Sequence, residues 1–527
     1  MSFGLYNILP RSARPKGGAE EVGNKAWNLM RMTDAGLPVP PAFVLPVAWC
    51  QQVDPEDDNQ DLRATLVSGI ATLESATGLT FGSPRRPLLV SVRSGAAVSM
   101  PGMLETVLNI GINAQTVSGL IGYTGNPRLA WDCYRRLVQG YAEVVQCLPR
   151  GPFDELVTQA LSAAGVELER ELDYASLRQL TCKMLDRFHE LADLPFPDDP
   201  LEQLRRAAVA VFQSWHAPKA VAYRQANRIE HDGGTAATVQ RMVFGNSGGA
   251  SGAGVTFTRN PATGVRELYL DFEFNSQGED VVAGRRVTQG EERLRRALPS
   301  AWAQLEETGL ALESLFRDTQ DFEFTIQSGT LYLLQSRSAQ RTPWAALRMA
   351  VDQVDEGLIS TDEALSRLSE IDLDSVVRTR LANPAAAPLA RAQVASLGVA
   401  SGAICLDSDT AIRMAQAGPV ILVRRETETS DIGGIMSAAG ILTAAGGRTS
   451  HAAVVARRLG KVCLVACPDL HIDLLQRACR IGEKTMREGE FLSLDGNDGG
   501  VYAGQLEVVT ERPERDLERI ANWRAPR

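Results

Sequence analysis

The stretch Gly440–Cys463, GILTAAGGRTSHAAVVARRLGKVC, constrains this chain more than any other. Ile441-Leu442-Thr443-Ala444 is an apolar run of the length of a buried strand. Gly446-Gly447 breaks the run and permits a tight turn. Thr449 and Ser450 are good N-cap residues, and Ala452–Arg458 reads as a helix. His451 is therefore expected in the first turn of a helix, directly after a strand. Free N–H groups and the positive end of the helix dipole disfavour imidazolium there and keep the ring nucleophilic. The same groups would stabilise a phosphoryl dianion carried on the ring. Ala452 and Ala453 leave room for a bulky substrate. A histidine beside a helix cap can also be purely structural; the glycines, the cap residues and the small neighbours favour the chemical reading.

GGRTSHAAVVAR resembles the phosphohistidine motif of the pyruvate, phosphate dikinase and phosphoenolpyruvate synthase family. The resemblance implies that His451 accepts phosphate from ATP and passes it on. Arg448 stands where that family usually has Met, adding a positive charge beside the phosphate. Thr449 matches a residue that regulatory kinases modify in some relatives, but capping is the preferred role.

Four further segments extend the resemblance. In GGAEEVGNKAWNLMRMTDAGLPVPPAF, Lys25 precedes a helix-like Ala26–Ala35, where a lysine can reach a phosphate. This segment resembles the family's LGGKGANL pattern, which implies that Lys25 contacts ATP; Asn24, Ala26 and Trp27 depart from it. In SVRSGAAVSMPGM, Arg93 ends a β-rich run beside a Ser-Gly loop, placed to grip transferring phosphates or to make a surface ion pair. Its resemblance to the family signature implies the phosphate role. Between the β-rich runs Val239–Phe244 and Val255–Thr258 lies a glycine-rich stretch containing Gly245, Gly248, Gly249, Gly252 and Gly254. Read as a hairpin loop, it could fold backbone N–H groups over phosphates. It is neither a Walker A loop nor a dinucleotide fingerprint, and its resemblance implies an ATP-grasp lid. Finally, QDFEFTIQSGTLYLLQSRS reads as a hairpin. Asp321 and Glu323 share one strand face, and Gln335 and Arg337 share a face of the next. Asp321, Glu323 and Gln335 offer oxygen ligands for Mg²⁺ and Arg337 a grip for phosphates; a polar solvent face is the plainer alternative. The match to the family's hairpin implies the site.

The rest of the chain frames these motifs. Its 527 residues allow several domains. A net charge of −10 argues against nucleic acid or an anionic membrane as the main partner. No signal peptide or membrane-length apolar run is read. Eight scattered cysteines without a CxxC pair fit a reducing cytoplasm, and Cys463 and Cys467, four apart in an apolar run, fit buried thiols better than a metal site. Residues 114–235 look helical, and Tyr134-Arg135-Arg136 resembles a segment supplying a nucleotide-site arginine, with the choice between Arg135 and Arg136 open. His189, His216 and His471 read as structural or surface residues. Asn383–Pro388 reads as a linker.

The fold class expected is α/β, in the sense of an α+β multidomain chain. By resemblance, an ATP-grasp nucleotide-binding domain over 1–340 carries a helical insertion at about 114–235 and is followed by a helical linker over 341–390. A swivelling β/β/α phosphohistidine domain over 391–510 and a C-terminal tail over 511–527 complete it. Full-length dikinases continue into a barrel for pyruvate or phosphoenolpyruvate, which is expected to be absent. The chemistry implied is attack by His451 on the β-phosphorus of ATP, release of AMP, and transfer of the γ-phosphate to inorganic phosphate or water. The acceptor of the remaining phosphoryl group is a small molecule or is bound by a separate chain, as in a split dikinase. A phosphocarrier or nucleotide sensor without turnover is a further reading, and a homo-oligomer is left open.

Overall fold

Capping and apolar spacing explain the helices that frame the first half. In α1 (Ala19–Asp34), Val22, Ala26, Leu29, Met30 and Thr33 are buried at helical spacing. The helix is interrupted at Gly23, where φ is 76° and ψ 152°. Asn126 caps α2 (Pro127–Val144) by accepting from the Leu129 N–H, and Pro127 starts it. Asp173 does the same for α3 (Tyr174–Ala192) through the Ser176 N–H. Where α2 and α3 pack, the ring of Tyr141 lies 5.1 Å from Phe196 and Phe188 lies 5.3 Å from Phe196. Such edge contacts add about 0.5–1.5 kcal/mol each beyond the apolar area they bury.

The structure is a computed structural model describing residues 4–53, 59–98, 100, 103–226, 229, 233–278, 290–382, 387–427, 431–447 and 451–524. The chain divides into two units, Met1–Gly248 with Tyr332–Ser336, and Gly249–Leu331 with Arg337–Arg527. In the first, an antiparallel sheet holds β1 (Tyr6–Ile8), β2 (Ala42–Leu45), β3 (Val90–Gly95), β4 (Thr106–Ile110) and β5 (Ala236–Arg241). The strand order is β1-β2-β5-β3-β4. One continuous core joins this sheet to the helices, from Phe43 and Val92 to Leu137, Met184 and Phe212.

The second unit begins with β6 (Gly252–Phe257), β7 (Tyr269–Phe274) and β8 (Gln320–Gln327); with β9 (Thr330–Ser338), whose residues Tyr332–Ser336 count with the first unit, they form a sheet in the order β9-β8-β6-β7. The runs on either side of the glycine-rich stretch therefore lie in different sheets, β5 in one and β6 in the other, and do not form the expected hairpin. Helix α4 (Pro299–Phe316) follows β7 in the chain, and α5 (Pro343–Asp355) follows β9. Two linking strands, β10 (Arg378–Leu381) and a late partner β19 (Val508–Glu511), pair antiparallel. Between them lie β11 (Ala390–Arg391), β12 (Gln393–Ser396), β13 (Val399–Cys405), β14 (Val420–Arg424), β15 (Gly440–Thr443), β16 (Val462–Val465), β17 (Phe491–Asp495) and β18 (Gly500–Ala503).

These eight form one sheet ordered β11-β18-β17-β13-β14-β15-β16-β12, with β13, β14, β15 and β16 parallel. Strands buried on both faces of a parallel sheet need continuous apolar sequence. VILV, GILT and VCLV supply it, and each of their residues is buried. Separate cores cover the two faces, one around Ile421, Leu442 and Leu494 and the other around Leu422, Ile441 and Ala453. Residues 511–527, expected as a tail, contain instead helix α7 (Glu514–Arg524), the last helix after α6 (His451–Arg458). Ile520 of α7 is buried with Leu347 and Val351 of α5, so the chain end is anchored by core packing. Residues 383–386 of the expected linker lie outside the described residues.

Candidate active site

In the first unit, Lys25 and Arg93 are brought together by two glycines. A Cβ on Gly23 would stand 1.9 Å from the carbonyl oxygen of Gly95. The Asn24 N–H also donates to the Ala96 carbonyl at 2.9 Å. Lys25 thus follows a forced break in α1 that is fastened to the end of β3, two residues beyond Arg93. The half-buried Arg93 donates through Nη1 to the Leu334 carbonyl at 3.1 Å, and Asn28 Nδ2 donates to the Ser336 carbonyl at 2.9 Å. These bonds fix the backbone on both sides of Gln335, so the segments carrying Lys25, Arg93 and Gln335, on α1, β3 and β9, are tied to one another. Ser99, Pro101 and Gly102 of the Met-Pro-Gly loop lie outside the described residues.

A second arrangement in this unit was not foreseen. The buried Asp132 accepts from Arg135 Nη2 at 3.0 Å, Arg136 Nε at 3.0 Å and Asn246 Nδ2 at 3.1 Å. Burial pushes its carboxyl upward, but the nearby Arg136, Arg135 and Arg128 outweigh this and hold it well below the usual carboxylate range. Arg135 is enclosed, with further bonds to Gln139 and Glu169; Arg136 is the more exposed of the pair, with 17% of its side chain accessible against 3%. Asn246 belongs to the glycine-rich stretch, so Asp132 ties the start of that loop to α2. The i+3 and i+4 spacing of Asp132 to the two arginines was a readable signal for half of this cluster.

In the second unit, Asp321 and Glu323 stand on β8, alternating with the buried Phe322 and Phe324. Arg337 clasps Oδ2 of Asp321 through Nε at 2.8 Å and Nη2 at 2.7 Å. Burial pushes the Asp321 carboxyl up, and Arg337 offsets this in part. Both contacts of that clasp use Oδ2, leaving Oδ1 outside it. Two carboxylates and an amide are hard oxygen donors of the kind Mg²⁺ takes. Among the described residues no group of three or more His, Cys, Asp or Glu is arranged to hold a metal by itself. Asp321 and Glu323, two carboxylates on one strand face, fit the one or two protein ligands that Mg²⁺ takes beside substrate phosphates.

Gly252 and Gly254 correct the loop reading. Both lie within β6, which is paired on both sides, to β7 and β8. A Cβ on Gly252 would be 2.3 Å from the Phe272 ring, and one on Gly254 would be 2.5 Å from the Phe324 ring. These glycines make room for aromatic rings, and their N–H groups belong to the sheet ladder rather than to a phosphate cradle. Gly245, Gly248 and Gly249 remain in irregular chain between β5 and β6, with Gly248 at φ 129°.

His451 is the first residue of α6, which follows β15 across the Gly446-Gly447 turn. Arg448, Thr449 and Ser450 lie outside the described residues, as do 428–430 and 279–289. His189, His216 and His471 are exposed. Among the described residues no helix is long and apolar enough to cross a membrane.

Residues 58–298 match the pyruvate phosphate dikinase AMP/ATP-binding domain, and residues 416–499 match the mobile domain of PEP-utilising enzymes. The chain is 41% identical over 510 residues to pyruvate, phosphate dikinase of Clostridium symbiosum, covering 95% of this chain and 58% of that protein. It is 40% identical over 536 residues to the Rhizobium meliloti enzyme and 40% over 519 residues to pyruvate, phosphate dikinase 2 of Zea mays, covering 59% of each. The chain thus spans about three fifths of the length of these relatives.

Proposed function

We propose, on the premise that the chain belongs to the pyruvate, phosphate dikinase family by its AMP/ATP-binding and mobile domains, that it is an ATP-dependent phosphotransferase acting through His451. In this reading Lys25 and Arg93 of the first unit bind phosphate, and so does Arg337 of the second. Asp321 and Glu323 would hold Mg²⁺, which would neutralise phosphate charge. A ring nitrogen of His451 forms a bond to the β-phosphorus as the bond to AMP breaks. The γ-phosphoryl group then passes to inorganic phosphate or water, and His451 keeps the β-phosphoryl group for an acceptor. What supports this reading is the position of His451 at the start of a helix after a strand, where N–H groups favour a neutral nucleophile and a phosphorylated product.

ATP labelled separately at the β and γ positions tests it. Acid-labile β-label on the wild type but not on His451→Ala, with AMP formed, is the expected result. Retained γ-label with ADP formed would overturn it.

A further inference from the structure

We propose that Arg457 seats the histidine-bearing module on the β6–β8 sheet of the same unit, against the strand position next to Asp321, and that its charge determines how firmly the module stays there. This rests on the phosphotransfer reading of His451. Arg457 lies in the last turn of α6, six residues beyond His451 and so about 9 Å along the axis. It is fully buried, with its guanidinium over the Phe257 ring at 5.2 Å. Phe257 is the cross-strand partner of Asp321 on one side and of Tyr269 on the other. Nη1 donates to the Ala395 carbonyl on β12 at 3.0 Å, which fixes the side chain to its own module.

Two other contacts mark the same seam. The Tyr269 hydroxyl donates to the Val394 carbonyl. Gly447 lies so close to β7 that a Cβ on it would be 2.8 Å from Asp271 Oδ2. A buried guanidinium is costly unless opposite charge surrounds it. Burial lowers the Arg457 pKa, while Tyr269, Cys463, Asp321 and Asp271 act in the opposite sense. Asp271 and Asp321 come from the sheet rather than from the module, so the seat compensates a charge that the module brings. Stacking alone would be satisfied by any long apolar side chain; the flanking carboxylates call for a cation. Arg457 is thus a positioning residue, holding α6 at the nucleotide-site sheet without touching substrate.

The test uses the full chain as wild type, Arg457→Met, Arg457→Lys and Asp271→Asn. Three quantities are read: ATP affinity, the rate of β-label transfer to His451, and the distance distribution between spin labels at Gln416→Cys and Glu307→Cys, with Cys147 and Cys182 replaced by Ser. Arg457→Met is expected to leave ATP affinity within about twofold, slow labelling by about tenfold or more, and broaden the distances. Arg457→Lys should recover part of both losses. Should Arg457→Met fail to fold, Asp271→Asn and Tyr269→Phe carry the same expectations. An unchanged distance distribution in the charge-removing variants overturns the proposal, whatever the rate does. A wild type that takes no label overturns the phosphotransfer reading instead, and the distances still decide the seat.

Discussion

Gly23 and Gly95 meet backbone to backbone, with no room for a side chain on the first. At φ 76° and ψ 152°, Gly23 also occupies a region that essentially only glycine enters. Gly23→Ala must therefore separate the start of α1 from the end of β3. We expect it to cost about 3 kcal/mol or more and to weaken ATP binding, because Lys25 and Arg93 lose their common anchor. Urea unfolding and calorimetric titration with ATP check this. A wild-type unfolding midpoint would show that the contact gives way freely.

Arg93→Met should leave the sheet intact, since β3 is held by ladder bonds to β4 and β5. The rate of His451 labelling should fall by about 10²–10³-fold, the usual loss for one charge-stabilising donor. Circular dichroism alongside single-turnover labelling separates the two effects.

Arg259 is fully buried and grips Glu313 at 2.7 Å and Glu356 at 2.6 Å. Glu313 is buried, whereas Glu356 is partly exposed. Arg259→Met would strand the buried carboxylate and should cost about 3–5 kcal/mol. Glu356→Gln should cost far less, because water can reach that group. Thermal unfolding of the two variants should rank them in this order.

Acid sensitivity follows from Asp132. Its folded pKa is depressed from the ordinary 3.8, so its ionised form stabilises the fold above that pH. The contribution is lost as pH falls below about 3.8 toward the lower folded value. Asp132→Asn should be less stable than wild type near neutrality and should show a shallower decline below pH 4, read from urea midpoints measured between about pH 3 and 7. Parallel declines would remove Asp132 as the cause.

What the sequence disclosed depended on how local the cause was. Asp321 and Glu323 are two apart, so strand pleating alone puts them on one face. The helix beginning at His451 follows from its flanking pattern. Gly252 and Gly254 misled because glycine reads as loop, whereas Phe272 and Phe324, brought across the sheet, are what demand it. The Asp132 cluster was half legible, in the spacing of Asp132 to Arg135 and Arg136; Asn246 was silent because it lies more than a hundred residues away and only folding brings it near. The charged segment holding α7 reads as a tail because its apolar residues Leu517, Ile520 and Trp523 are scattered among charges, and the core they join, with Leu347 and Val351, lies far back in the chain.

The pairing of β10 with β19 carries a mechanical consequence. Arg378 faces Glu511 and Leu381 faces Val508, so the eight-stranded module is entered and left through one two-stranded ribbon. Thr379 ties that ribbon to the module through Val399 and Asn497. A body hung from a single strand can spin about it; one hung from two paired strands resists torsion and turns like a door on its leaf. Any excursion of His451 is thereby channelled into an arc, and cutting either strand of the ribbon would free the rotation that the pairing forbids.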